Sequence, residues 1–387
     1  MRYAIVTETY PPEVNGVALT VQALEQGLRD RGNAVTVVRP SQSRADQPAP
    51  HETLVRGANL PRYPGLKFGL PATGILVTSW TSSPPDAIYV ATEGPLGWSA
   101  LRAARRLGIP AAAGFHTRFD SYMRDYGAGF LEATAMRWMR RFHNGADATL
   151  VPTRELQDFL QSVGFNDVVL LPRAVDAVLF DPAKRDHDLR AQWQAVEDSP
   201  VVIHVGRIAA EKNLALAVEA YRALQRVRPD ARYVWIGDGP ARPQLERDNP
   251  DFIFCGIQRG ESLARHVASG DLFLFPSRSE TFGNVTLEAM ASGVPTIAFD
   301  YGAAREYLHD GQHGAAVSDC ACDNNANAAF IAAACHIGSD PVLRREMGLR
   351  ARTAVADLRP ENVSIRFESI LAGLAIAGGN DARVATA

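Results

Sequence analysis

The chain has 387 residues, 46% apolar and 21% charged, with 40 Lys and Arg side chains against 43 Asp and Glu. At roughly 100–200 residues per domain, that length implies two domains or one large one, and either half can bury a core without a disulfide or metal staple. A net charge of -3 excludes a chain-wide basic field for nucleic acid, though not a local basic patch.

Residues 3–7 form a short continuous apolar run, followed by the Pro11-Pro12 loop and a helical periodicity over 17–31. Further strand-like runs lie at 34–38, 87–91, 109–114, 148–152 and 168–171, with helices such as 97–107 and 154–163 between them. Continuous apolar strands separated by amphipathic helices predict a parallel sheet covered on both faces. Residues 174–199 break the rhythm with Asp181-Pro182 and the charged run Lys184-Arg185-Asp186-His187-Asp188, and read as a connector.

The alternation restarts with strands at 201–205, 233–236, 252–254, 272–275 and 296–299 and a helix at 214–226. Helices follow at 324–337 and 341–355, split by Gly338-Ser339-Asp340 with Pro341 as a first helical residue, and a final helix at 362–377. The predicted fold is α/β, with two doubly wound domains facing each other across a cleft. The first spans residues 1–175, a linker 176–199, and the second 200–360. The end, 361–387, is expected to supply a helix that packs back on the first domain. Ligands of such sheets sit outside the carboxyl ends of the strands, so the chemistry is sought just after strands.

Four cysteines, Cys255, Cys320, Cys322 and Cys335, are too few for a disulfide framework in a chain this long and read as reduced thiols. The spacing Cys320-x-Cys322 does not suit a structural zinc site. The N-terminus runs straight into strand-like sequence without a signal-peptide pattern, and no stretch approaches the ~18–20 apolar residues of a membrane span. A cytoplasmic chain is expected.

Two loops stand out. In Val205-Gly206-Arg207-Ile208-Ala209-Ala210-Glu211-Lys212-Asn213, a strand ends, glycine permits a tight turn, and two cations follow five residues apart. A guanidinium and an ammonium in such a loop suit a polyphosphate, although a solvated loop with Lys212 paired to Glu211 fits the same residues. In the second loop, Glu280-Thr281-Phe282-Gly283-Asn284-Val285 leads from a strand into a helix carrying Glu288. Unpaired N–H groups at that helix start attract phosphate. Glu288, set among apolar neighbours, could accept from ribose hydroxyls and Glu280 from sugar hydroxyls; a capping Glu280 and a surface Glu288 are the alternative. No Gly-x-Gly-x-x-Gly follows the first strand, where Glu8-Thr9-Tyr10-Pro11-Pro12 stands instead, which argues against a dinucleotide oxidoreductase.

These loops resemble the donor-site signatures of the retaining glycosyltransferases of family 4, which have the GT-B fold of two Rossmann-like domains. The resemblance spans nearly the whole chain. It includes Tyr10-Pro11-Pro12 with Asn15-Gly16-Val17, Thr92-Glu93-Gly94-Pro95-Leu96-Gly97, His116-Thr117-Arg118-Phe119, Gly237-Asp238-Gly239-Pro240 and Gly293-Val294-Pro295. It implies that Gly16 lets backbone approach the donor diphosphate, and that Arg207 and Lys212 neutralise that diphosphate as it leaves. Glu280 with Phe282, Gly283, Asn284 and Val285 would hold the donor sugar and phosphates, Glu288 the ribose, and the stretch Cys255-Gly256 would lie near the base. His116 would reach the sugar, with Tyr10, Asn15 and Arg118 on the acceptor side. Ala174, in Arg173-Ala174-Val175-Asp176, departs from the glycine often found there. No Asp-x-Asp metal cradle stands out, so no cofactor or metal is expected.

Within that family the chain resembles the branch of lipid mannosyltransferases and sulfolipid synthases. The resemblance implies a nucleotide-sugar donor, GDP-mannose in preference to a UDP-hexose, and a lipid or glycan acceptor. A UDP-glucose-type glucosyltransferase making a glycolipid is the alternative; a non-catalytic sugar-nucleotide sensor is disfavoured. Residues 101–144 are rich in arginine, and Arg137-Trp138-Met139-Arg140-Arg141-Phe142 interleaves cations with large apolar groups. That pattern suits peripheral contact with an anionic membrane face, or ordinary solvated helices with Trp138 and Phe142 in the core.

Overall fold

The computed structural model describes residues 1–11, 16–42, 46–59, 67–116, 132–196, 198–278, 282–318 and 325–384. It divides into two compact units, one formed by Met1–Arg173 with Pro360–Ala387 and the other by Ala174–Arg359.

The first unit runs β1 (Arg2–Val6), α1 (Gly16–Asp30), β2 (Ala34–Pro40), β3 (Glu52–Val55), the antiparallel pair β4 (Gly57–Asn59) and β5 (Lys67–Gly69), and α2 (Thr73–Ser82). It continues with β6 (Ala87–Val90), α3 (Pro95–Leu107), β7 (Ala111–Gly114), α4 (Glu132–His143), β8 (Ala148–Val151), α5 (Arg154–Ser162) and β9 (Val168–Leu170). Seven strands pair in parallel in the order β3-β2-β1-β6-β7-β8-β9. Central strands such as Ala-Ile-Tyr-Val are buried at every position, as helices on both faces require.

Local chemistry sets the helix ends. Pro95 occupies the first turn of α3, Gly108 closes it at φ 64°, and the Thr153 side chain accepts from the Leu156 N–H at the start of α5. The C-terminal helix Pro360–Val384 belongs to this unit and lies so close to α1 that a Cβ on Gly27 would stand 1.9 Å from the Ser364 Oγ. Asn33 donates to Glu368 (2.8 Å), Arg31 pairs with the same carboxylate, and Phe367 meets the Tyr89 ring edge-on at 4.9 Å.

In the second unit, the stretch read as a connector carries a 3-10 turn (Pro182–Lys184) and α6 (His187–Gln192), which the Asp186 carboxylate caps through the N–H groups of Asp188 and Leu189. There follow β10 (Val201–Val205), α7 (Leu214–Val227), β11 (Arg232–Ile236), α8 (Arg242–Asp248), β12 (Ile253–Gly256), α9 (Gly260–Ala268) and β13 (Leu272–Phe275). The unit ends with α10 (Asn284–Ala291), β14 (Thr296–Phe299), α11 (Ala303–Tyr307), β15 (Gly314–Val317), α12 (Ala326–Ser339) and α13 (Pro341–Ala354).

Its six strands are parallel in the order β12-β11-β10-β13-β14-β15. Renumbered from β10 this is 3-2-1-4-5-6, the dinucleotide-binding order, whose crevice opens where the order reverses, at the carboxyl ends of β10 and β13. No helix among the described residues is long and apolar enough to cross a membrane.

Candidate functional site

Both loops singled out in the sequence leave the sheet at that reversal. After β10, Gly206 takes φ 139° and its N–H reaches the Ile236 carbonyl at 3.0 Å. The loop after β11 backs directly onto it: a Cβ on Gly237 would lie 1.9 Å from the Gly206 carbonyl oxygen, and one on Gly239 would lie 2.3 Å from that of Ile208. Hydrogen bonds from Ile208 to Asp238 and from Ala241 to Ile208, each 3.0 Å, join the two loops. The Arg207 and Lys212 loop is thus held by backbone on backbone.

Arg207 is largely exposed and pairs with Glu211 at 3.5 Å. Lys212 ends a 3-10 turn, and Asn213, left-handed at φ 54°, starts α7. The Asn213 side chain donates to the Pro276 carbonyl at 3.3 Å, which ties this loop to the one leaving β13. Beneath them, His204 is buried against Trp235; burial and the Lys212 charge push its pKa down to about 3, so the imidazole stays neutral.

Of the second loop, Glu280 lies outside the described residues. Phe282 is buried, and its carbonyl accepts from the Ala303 N–H at 2.7 Å. Gly283, at φ 86°, precedes α10 with no side-chain cap, so among the described residues the first N–H groups of the helix, those of Asn284 and Val285, have no capping side-chain oxygen. Among the described residues two buried acceptors have no partner here, the Asn284 Oδ1 and the Glu288 Oε2. Burial alone pushes the Glu288 carboxyl up to about 7. Cys255 and Gly256 end β12, two strands from β10; burial raises the Cys255 thiol, and Gly256 takes φ 67°.

Glu288 carries a pH signature. Its carboxyl ionises near its ordinary 4.5 when unfolded and near 7 when folded, so the native chain holds the extra proton in that window. Native stability therefore falls as pH rises from 4.5 to 7. Glu288→Gln is expected to melt several degrees higher than wild type at pH 8, by ~2–3 kcal/mol, and equally with it at a pH below 4.5. Equal melting at both pH values in scanning calorimetry would contradict the burial.

In the first unit, Gly16 opens α1 and Tyr10 is buried with its hydroxyl 3.4 Å from Glu25, while Asn15 and Arg118 lie outside the described residues. His116, just past β7, is buried with both ring nitrogens engaged: Arg173 donates to Nδ1 at 2.6 Å, and Nε2 stands 2.8 Å from the Tyr89 hydroxyl. Since a guanidinium only donates, Nδ1 carries the lone pair and Nε2 the proton. Burial and the Arg173 charge hold the ring well below its ordinary pKa, hence neutral. A sugar hydroxyl could meet this imidazole only by displacing Tyr89 or Arg173.

Sequence reasoning missed both of those partners, and also Glu8. The Glu8 carboxylate, at the end of β1, accepts from the Leu96 N–H at 2.9 Å at the start of α3. Burial, opposed by that hydrogen bond and aided by Glu93, pushes it up to about 7. Gly94 is what admits it, because a Cβ there would fall 2.0 Å from the carboxylate. The available signal was a lone acid directly after the first strand. On α4, Phe142 is buried, whereas Trp138 is 44% exposed beside the exposed Arg137 and Arg141.

Residues 14–179 match the family model for Glycosyltransferase Family 4, and residues 199–340 that for Glycosyl transferases group 1. A GDP-mannose-dependent alpha-mannosyltransferase from Mycolicibacterium smegmatis is 34% identical over 362 residues, 92% of each chain. The chain belongs to glycosyltransferase family 4. A sulfoquinovosyl transferase from Arabidopsis thaliana is 31% identical, over 81% of this chain and 62% of its own. The GT-B fold is shared with the sucrose-phosphate synthase of Thermosynechococcus elongatus, at a TM-score of 0.78 and 20% identity over 97% of this chain and 99% of that one. In this family 4 glycosyltransferase, then, the second unit joins Arg207, Lys212 and the open start of α10 at adjacent strand ends.

Proposed function

We propose that this glycosyltransferase moves a mannosyl group from GDP-mannose to a lipid or glycan acceptor, with retention, forming an α-linkage. The observation that carries the reading is the convergence of two cations and an uncapped helix start where β10 and β13 end, a place suited to a leaving diphosphate. The unpartnered Glu288 oxygen would accept from ribose hydroxyls, which would offset the cost of its burial. The 34% identical relative named for GDP-mannose supports the choice of donor.

In the proposed step the bond from the anomeric carbon to the diphosphate oxygen breaks, and the bond to the acceptor oxygen forms on the same face. The acceptor proton passes to the departing diphosphate. Arg207 and Lys212 offset the charge growing on that diphosphate, in place of a divalent ion. Glu280 is proposed to hold the sugar hydroxyls, and His116 to meet the sugar as a neutral ring by exchanging its Tyr89 hydrogen bond. Gly16 is proposed to let backbone approach the donor diphosphate, Tyr10, Asn15 and Arg118 to serve the acceptor, and Cys255 with Gly256 to lie near the base. We place the enzyme in the cytoplasm, with the exposed Arg137, Trp138 and Arg141 of α4 meeting an anionic membrane surface.

Thermal melting with GDP, UDP and their sugars, followed by product analysis in EDTA, tests this. GDP and GDP-mannose are expected to raise the melting temperature and UDP to leave it unchanged, since only a ligand of the native state stabilises it. Release of GDP should continue in EDTA, with proton NMR showing an α-mannosyl product. Stabilisation by UDP alone, or a β-linkage, would overturn the donor or the stereochemistry respectively.

A further inference from the structure

The second unit has another pole. Its strands are parallel, so their amino ends lie together, and β10, five residues long, separates them from the donor loops by ~13–16 Å. At that amino-terminal pole is a cavity of about 620 Å³, bounded by the residues preceding β10, β13 and β14 together with α6 and the first turns of α13. The volume suits a metabolite-sized ligand, for which pockets run ~300–1,000 Å³.

The lining is cationic. Its described residues include four arginines, Arg185, Arg190, Arg344 and Arg345, and His187, against two acids, Asp198 and Asp271. Asp271 already serves two of the arginines, Arg185 at 2.6 Å and Arg190 at 2.8 Å. Arg344 differs. It is 6% exposed and its hydrogen bond goes to a carbonyl, that of Gly338, with no carboxylate at ion-pair distance among the described residues. Burial, opposed by the nearby Asp271 and Asp340 carboxylates and aided by Arg228 and Arg190, holds its pKa below the usual guanidinium value. A second and independent feature is Ser292: it lines the cavity, is 3% exposed, and its hydroxyl has no partner among the described residues. An anion with several oxygens would meet both the Ser292 hydroxyl, which lacks an acceptor, and a lining in which four guanidinium groups face two carboxylates.

We propose that this cavity binds a small soluble organic phosphate, with the phosphoryl group held by Arg344, Arg345 and Ser292, at a site separate from the donor loops. The ligand's charge would balance the surplus guanidinium charge, and its oxygens would satisfy the Ser292 hydroxyl. Nothing in this assignment depends on which nucleotide sugar the enzyme uses.

Isothermal titration of the full chain with inorganic phosphate and with glycerol 3-phosphate, in chloride-free buffer, tests the site. Three variants separate it from the donor loops and from a general charge effect. Arg207→Gln is expected to leave glycerol 3-phosphate affinity unchanged. Arg345→Glu, at the exposed rim, should weaken it about tenfold or more, and Ser292→Ala about threefold to tenfold, with the free proteins melting as wild type does. No binding by wild type, binding lost with Arg207→Gln, or binding that Arg345→Glu leaves intact overturns the proposal. A phosphoryl group recognised only on a membrane would show as binding to phosphatidic acid vesicles with none to glycerol 3-phosphate, and overturns it equally.

Discussion

Lys212→Ala is expected to lower kcat by about 10²–10³, the loss typical of removing one fixed donor aimed at developing charge. The ammonium ends the 3-10 turn after β10, and the turn is fixed by Gly206, by Asn213 in its left-handed conformation, and by the Asn213 bond to the β13 loop. None of those restraints involves the Lys212 side chain, so truncation should leave the loop in place and melting within a degree or two of wild type. The charge on the diphosphate is largest as the sugar departs, so kcat should fall more than KM rises. Steady-state kinetics beside a melting curve decides this. A turnover near wild type would remove Lys212 from the reaction.

Gly237→Ala should be among the most damaging single methyls in the second unit. The glycine sits at φ 142°, and the added carbon would stand 1.9 Å from the Gly206 carbonyl oxygen, which is backbone and has no rotamer to yield. Gly206 is the matched control, because it has nearly the same φ, 139°, with nothing within 4 Å of an added Cβ. Gly206→Ala should therefore cost only backbone strain, ~1–3 kcal/mol, while Gly237→Ala adds a collision and exceeds ~3 kcal/mol. Urea unfolding should show the second unit's transition moving in both variants and much further in Gly237→Ala. Equal shifts would mean the two loops are not pressed together.

The strands were legible because a parallel sheet buries both faces: Val-Val-Ile-His-Val and Leu-Phe-Leu-Phe can hardly be anything else at those lengths, and their observed bounds are those read from the sequence. Strand β15, Gly-Ala-Ala-Val, was not, since two alanines and a glycine carry little strand preference and only the edge position beside β14 makes it one. Helix α6 hid in a charged stretch, although Asp186 is the cap that starts it. The donor loops were legible as residue types following strands. What could not be read was pairing at a distance: Tyr89 and Arg173 reach His116 from 27 and 57 residues away, and only the fold brings them there. The same holds for the arginines around Ser292, which come from two segments more than a hundred residues apart.

The C-terminal helix on α1 has a consequence for how the molecule is made. A ribosome completes the whole of residues 174–359 while the other unit still lacks Pro360–Val384, and with it Phe367 on the Tyr89 ring and Glu368 against Asn33. The earlier-made portion of that unit is thus completed only by the later-made helix, and until Ser364 and its neighbours emerge the face of α1 around Gly27 stays bare.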